Sequence, residues 1–136
     1  MSTIAVFGSF DGLHPGHDAL LREAGRYGDV FVILAQDDVI RRLKQHEPRE
    51  PFETRCKALE GHAAVSTVCP SDSREGEYAV IMQRKPEIVG FGYDQHALRE
   101  NFLAWKEKTG YDCEVIVFQP FRSDIYKTSL LKEASL

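Results

Sequence analysis

The stretch Gly8-Ser9-Phe10-Asp11-Gly12-Leu13-His14-Pro15-Gly16-His17 places two imidazoles three residues apart around a Pro-Gly pair, directly after the apolar run Ile4–Phe7. An apolar run that ends in glycine and leads to proline reads as a strand, a turn and the first turn of a helix, because proline is tolerated where a helix begins. Helix N-termini offer free N–H groups and positive potential to anions. Residues three apart share a helix face, so His14 and His17 can address one anion, and Gly16 between them leaves that face without a Cβ. Gly8 and Gly12 let the backbone approach a ligand closely. The chemistry on offer is stabilisation of charge on phosphate oxygens by donors and cations. The purely structural alternative is that His14 caps the helix and His17 is exposed. The glycines follow neither the dinucleotide pattern GxGxxG nor the P-loop pattern. No further His or Cys stands at a zinc-like spacing, so no residue is assigned as a metal ligand.

Such residues need a frame. Short apolar runs alternate with amphipathic stretches. Strands are expected at Thr3–Phe7, Asp29–Ala35, Val65–Cys69, Glu87–Phe91 and Cys113–Phe118. Helices are expected at Pro15–Tyr27, Asp37–Lys44 (N-capped by aspartate), Phe52–His62, Glu77–Arg84, Ala97–Lys108 and Lys127–Ala134. This alternation predicts an α/β, Rossmann-like fold: a mostly parallel five-stranded sheet with helices on both faces. The chain of 136 residues fits one domain, 1–136. Ligands of such sheets bind beyond the carboxyl ends of the strands. The strand-to-helix loops at Gly8–His17, Gln36–Asp38, Phe91–His96 and Gln119–Thr128 should therefore converge on one crevice.

A net charge of −4 argues against a nucleic-acid surface, though not against a local basic pocket. Three widely spaced cysteines, Cys56, Cys69 and Cys113, give neither a zinc pattern nor a disulfide frame, and reduced thiols in the cytoplasm are the plain expectation. No signal peptide is read at the N-terminus. No apolar run approaches the roughly 20 residues that span a bilayer.

The string Gly8, Ser9, Phe10, Asp11, His14, Gly16, His17 resembles the signature of the HxGH nucleotidyltransferases, the cytidylyltransferase-like family. The likeness continues nearly to the end. Asp38, Lys44 and Arg55 fall where the single-domain glycerol-3-phosphate cytidylyltransferases carry them. Gly92-Tyr93-Asp94-Gln95 replaces their GDDW turn and is closer to the archaeal FAD synthetases. The segment Arg122–Ser129 lies over the family's RTxGISTT signature. The resemblance implies transfer of CMP or AMP from a nucleoside triphosphate to a small phosphate or phosphonate monoester, with release of pyrophosphate. It implies His14, His17, Lys44 and Arg122 as the catalytic set. Gly8, Ser9, Phe10, Gly16, Gly92, Asp94, Thr128 and Ser129 would hold the nucleotide and its phosphates, and Asp11, Asp38 and Arg55 the acceptor. Mg²⁺ would arrive with the triphosphate, and a homodimer is the family's usual state. Length and the ungapped first half favour CMP; the GYDQ turn favours AMP, as in an FMN adenylyltransferase. A nucleotide sensor without catalysis is the competing class. The departures are Ile125 for the family's glycine, Lys127 for a hydroxyl residue, His46 for a second lysine and Gln95 for tryptophan. They touch base and acceptor recognition rather than the reaction type.

Overall fold

The computed structural model describes residues 2–74 and 76–119. The expected last helix, with Thr128 and Ser129, and Arg122 before it lie outside them. Five strands, β1 (Thr3–Gly8), β2 (Asp29–Leu34), β3 (Val65–Pro70), β4 (Ile88–Phe91) and β5 (Glu114–Val117), form one sheet. Their order is β3-β2-β1-β4-β5 and every pairing is parallel. The chain builds outward from β1 to β3, then returns to the other side of β1 for β4 and β5. The order thus reverses between β1 and β4, and a ligand crevice is expected at their carboxyl ends.

The strands read as apolar runs because both faces are covered. Ile4, Val6, Val30, Val32 and Leu34 pack on one face with Leu21 and Ala24 of α1 (Pro15–Gly25). Leu59 joins them; it belongs to α3 (Phe52–Glu60), which follows α2 (Asp37–Lys44) in the chain. Ala5, Phe7, Phe31, Ile33, Val89 and Phe91 pack on the other face with Val80 and Ile81 of α4 (Ala79–Arg84) and Phe102 of α5 (His96–Thr109). The period-two alternation along β1 and β2 therefore divides one core into two layers. Among the described residues no helix is long and apolar enough to cross a membrane.

The fold agrees with the sequence expectation, and the differences lie at element ends. α1 stops at Gly25, and the chain turns through Gly28, where a Cβ would lie 2.2 Å from the Ser2 carbonyl oxygen. Asp29 donates its N–H to that oxygen at 2.9 Å, which starts β2. α4 begins at Ala79 rather than Glu77, because Tyr78 takes a left-handed conformation (φ 50°) and turns its ring toward Phe7, Phe102 and Trp105. α2 has the expected bounds but Gln36 as its cap residue, with no side-chain cap bond. The two aspartates of its first turn and the basic residues of its last turn match the helix dipole.

Gly90 of β4 is needed for close approach: a Cβ there would stand 2.7 Å from two ring carbons of the buried Phe118. Gly90→Ala is expected to lower stability by about 1–3 kcal/mol through overpacking, read as a shift of the urea midpoint. Adding Phe118→Leu should recover part of the loss. An unchanged midpoint in the single variant would show that the ring yields freely.

Candidate active site

The crevice predicted by the strand order is present as a cleft of about 1190 Å³ across the carboxyl ends of the strands. The loop from β1 to α1 forms its floor. Phe10 stands there with φ 42°, and its ring folds back over Gly8, where a Cβ would meet the ring at 2.6 Å. The ring thus requires glycine at position 8. Phe10 is 3% exposed and sits 5.0 Å from the imidazole of His17. Phe10 lines the cleft, and its ring also packs in the core and backs His17.

His14 is the N-cap of α1. Its Nδ1 accepts hydrogen bonds from the backbone N–H of Gly16 at 3.1 Å and of His17 at 3.3 Å. Acceptance at Nδ1 leaves the proton of the neutral ring on Nε2. The rings of His14 and His17 stack with centroids 3.7 Å apart and planes inclined by 18°. Capping and site geometry, alternatives in the sequence, therefore coexist in one residue. Both histidines line the cleft, while Nε2 of His14 and Nδ1 of His17 are shielded from solvent. Burial lowers the pKa of His17 from 6.5 to about 4, helped by the neighbouring His14 and by Lys44, against an opposing backbone contact from Gly12. At neutral pH His17 is therefore an uncharged ring.

Lys44, the last residue of α2, reaches across to the loop, and its Nζ donates to Ser9 Oγ at 3.1 Å. A helix-end lysine is usually a solvated group; the sheet order brings this one to the loop after β1. Arg55 behaves differently from the expectation. Its side chain is fully buried and makes four hydrogen bonds to protein oxygens. Nη1 donates to the carbonyls of Ser9 and Ala35, both at 2.8 Å, Nε to Glu50 O at 3.0 Å, and Nη2 to Asp37 Oδ1 at 2.6 Å. It faces the back of the loops and not the cleft, so acceptor contact is replaced by positioning.

Asp11 is similarly engaged. Its two carboxylate oxygens accept the backbone N–H groups of Arg49 at 2.6 Å and Glu50 at 2.9 Å. It lines the cleft but serves there to tie the segment before α3 to the β1–α1 loop. Asp38 is exposed and borders a separate hollow with Arg41, Pro51 and Phe52, away from the main cleft. The three residues expected at the acceptor are therefore not brought together. Gly8, Ser9, Phe10, Gly16, Gly92 and Asp94 do line the cleft with the histidines and Lys44.

The opposite wall is the turn after β4. Gly92 donates its N–H to Gln95 Oε1 at 2.8 Å, and Gln95 Nε2 donates to the Phe7 carbonyl at 2.9 Å. Gln95 thus fastens this turn to the end of β1, which places Asp94 at the cleft. The sequence marked Gln95 as a departure without showing this duty. Arg49 was missed altogether; its signal was a basic residue inside a proline-bounded loop next to Lys44.

Two outcomes follow from this geometry. His17 holds its proton less readily folded than unfolded. The stability contributed by its neutral form is fully present above pH 6.5 and is lost as pH falls toward 4. His17→Asn should flatten the stability profile in that window, and an unchanged slope would remove His17 as the cause. Arg55→Ala strands Asp37 and three carbonyls and should lower stability by about 3–5 kcal/mol, measured by denaturant unfolding. A loss below about 1 kcal/mol would contradict the clamp.

The comparisons with known proteins point the same way. The sequence matches the cytidylyltransferase-like family over residues 5–134. The FAD synthase of Methanopyrus kandleri is 35% identical over 113 residues, covering 79% of this chain and 73% of that protein. The FAD synthase of Thermococcus kodakarensis is 32% identical over 128 residues, covering 93% and 86%. The lipopolysaccharide core biosynthesis protein from Thermoplasma volcanium superposes with a TM-score of 0.79 at 24% identity, over 89% of this chain and 98% of that one, and shares the fold. With its paired histidines at a helix mouth beside the strand-order reversal, and with this family match along nearly its whole length, the chain belongs to the cytidylyltransferase-like family and is a nucleotidyltransferase.

Proposed function

We propose that the chain transfers AMP from ATP to the phosphate of FMN, forming FAD and pyrophosphate. The observation that carries this reading is the meeting, in one cleft at the β1–β4 reversal, of the His14–His17 pair at the mouth of α1 with Lys44 on Ser9. Of the two nucleotides the sequence left open, AMP is supported by the FAD synthases among the relatives and by the GYDQ turn. The volume of the cleft, about 1190 Å³, lies above the usual 300–1000 Å³ of small-ligand pockets and suits a product made from two large halves.

A phosphate oxygen of the acceptor attacks the α-phosphorus of ATP. The bond to the oxygen that bridges the α- and β-phosphates breaks, and pyrophosphate leaves with that electron pair. A phosphate dianion carries no proton that must be removed, so the protein contributes positioning and charge stabilisation. The neutral His17 ring offers a hydrogen bond to the α-phosphate oxygens as their charge grows, and the positive end of the α1 dipole, whose first N–H groups are taken up by His14, favours the same charge. Lys44 supplies a cation beside Ser9. Arg122, Thr128 and Ser129, by the family signature, would hold the β- and γ-phosphates. Among the described residues no cluster of three or more His, Cys, Asp or Glu is placed to hold a metal ion. Mg²⁺ would therefore come with the triphosphate rather than with protein ligands, and would supply neutralisation of leaving-group charge. The single domain, the homodimer and the cytoplasmic setting are part of the same proposal.

The test is pyrophosphate release with each of four nucleoside triphosphates, against FMN, glycerol 3-phosphate and a panel of phosphonates. ATP with FMN should dominate, and FAD should appear by chromatography. Preference for CTP with glycerol 3-phosphate would overturn the substrate assignment, and nucleotide binding without any turnover would favour a sensor. His17→Ala should fold and lose about 10²–10³ in kcat; near-native turnover would remove its role.

A further inference from the structure

We infer that Arg49 is a specificity-determining residue, a cation that binds the phosphate of the acceptor; this rests on the transfer to a phosphate monoester proposed above. The segment between α2 and α3 is held from two directions. Asp11 takes the backbone N–H groups of Arg49 and Glu50, and the buried Arg55 takes the Glu50 carbonyl. A surface loop of polar residues thereby becomes a fixed edge of the cleft, and Arg49 lines that cleft with Lys44. The guanidinium of Arg49 has no hydrogen bond or ion pair among the described residues. Its neighbours are spoken for: both carboxylate oxygens of Glu47 accept from Arg41 Nε at 2.9 Å, and Nδ1 of His46 is bonded to the Glu47 carbonyl at 2.8 Å.

The charge balance supports the same assignment. Asp11 keeps its single negative charge while its oxygens are occupied by two backbone donors, and the two positive charges of Arg49 and Lys44 outnumber it, so this edge is net cationic. This edge lies on the β2 side of β1, opposite the Gly92–Gln95 turn on the β4 side. In-line transfer needs the incoming phosphate on one side of the α-phosphorus and the leaving group on the other. A planar guanidinium binds a phosphate dianion through two parallel hydrogen bonds, which fixes orientation as well as charge. Arg74 also lines the cleft. It belongs to the segment between β3 and α4, not to the one that Asp11 and Arg55 hold.

Arg49→Ala keeps the backbone N–H that Asp11 holds, so the loop retains its anchor. In the full-length protein, the KM for FMN should rise about 10–100-fold with kcat within about threefold, since a tenfold change corresponds to 1.4 kcal/mol. Riboflavin, which lacks the phosphate, should bind wild type and variant equally by flavin fluorescence quenching, and Arg49→Lys should recover part of the FMN affinity. An unchanged KM, an equal loss of riboflavin binding, or the same KM rise in Arg74→Ala in place of Arg49→Ala would each overturn the assignment. Should wild type use glycerol 3-phosphate instead of FMN, the acceptor proposed above fails. The KM for glycerol 3-phosphate in Arg49→Ala then decides Arg49 separately.

Discussion

A buried guanidinium organises this cleft. Arg55 has no exposed surface, and removing such a charge from water costs several kcal/mol unless hydrogen bonds replace the lost hydration. Its donors find the carbonyls of Ser9, Ala35 and Glu50 and the carboxylate of Asp37. Those four acceptors come from the β1–α1 loop, the end of β2, the segment before α3 and the first turn of α2. The desolvation penalty is offset only when all four stand in place together. The loops that frame the cleft are thereby set relative to one another by one side chain that never touches it.

A second constraint is the crowding of imidazoles. Two rings 3.7 Å apart, shielded from solvent and near a lysine, cannot both carry charge at low cost. Desolvation is the first cause of the low pKa of His17, with the neighbouring ring and Lys44 acting in the same direction. The cleft thus holds a neutral donor beside a cation and a helix mouth. Such a set gains most from a ligand whose negative charge increases during reaction, because donors already fixed need no reorganisation at that moment.

The opposite wall shows how a substitution in a family motif is absorbed. Gln95 closes the turn after β4 through its own side chain and fastens that turn to β1 at Phe7. The turn therefore stays bound to the strand that carries the histidines even though an amide stands where an indole is common in the family. The change alters a residue that lines the cleft while the attachment of the turn to β1 persists.

Much of this was legible in the residues alone. Continuous apolar runs at β1 and β2, separated by helix-period stretches, determined a parallel sheet covered on both faces, because burial on both sides leaves no room for polar alternation. The string from Gly8 to His17 determined the helix mouth and its pair of rings, since Pro15 and the spacing of the histidines act locally. What local spacing cannot carry is partnership across distance. Arg55 and Lys44 are both cations on short helices, yet one lies behind the loops with four protein partners and the other reaches Ser9. Asp11 and Asp38 both look free in the chain, yet one is tied to Arg49 and Glu50 and the other borders a different hollow. Those outcomes depend on strand order and on which backbone groups need a partner once buried. The tertiary structure alone decided them.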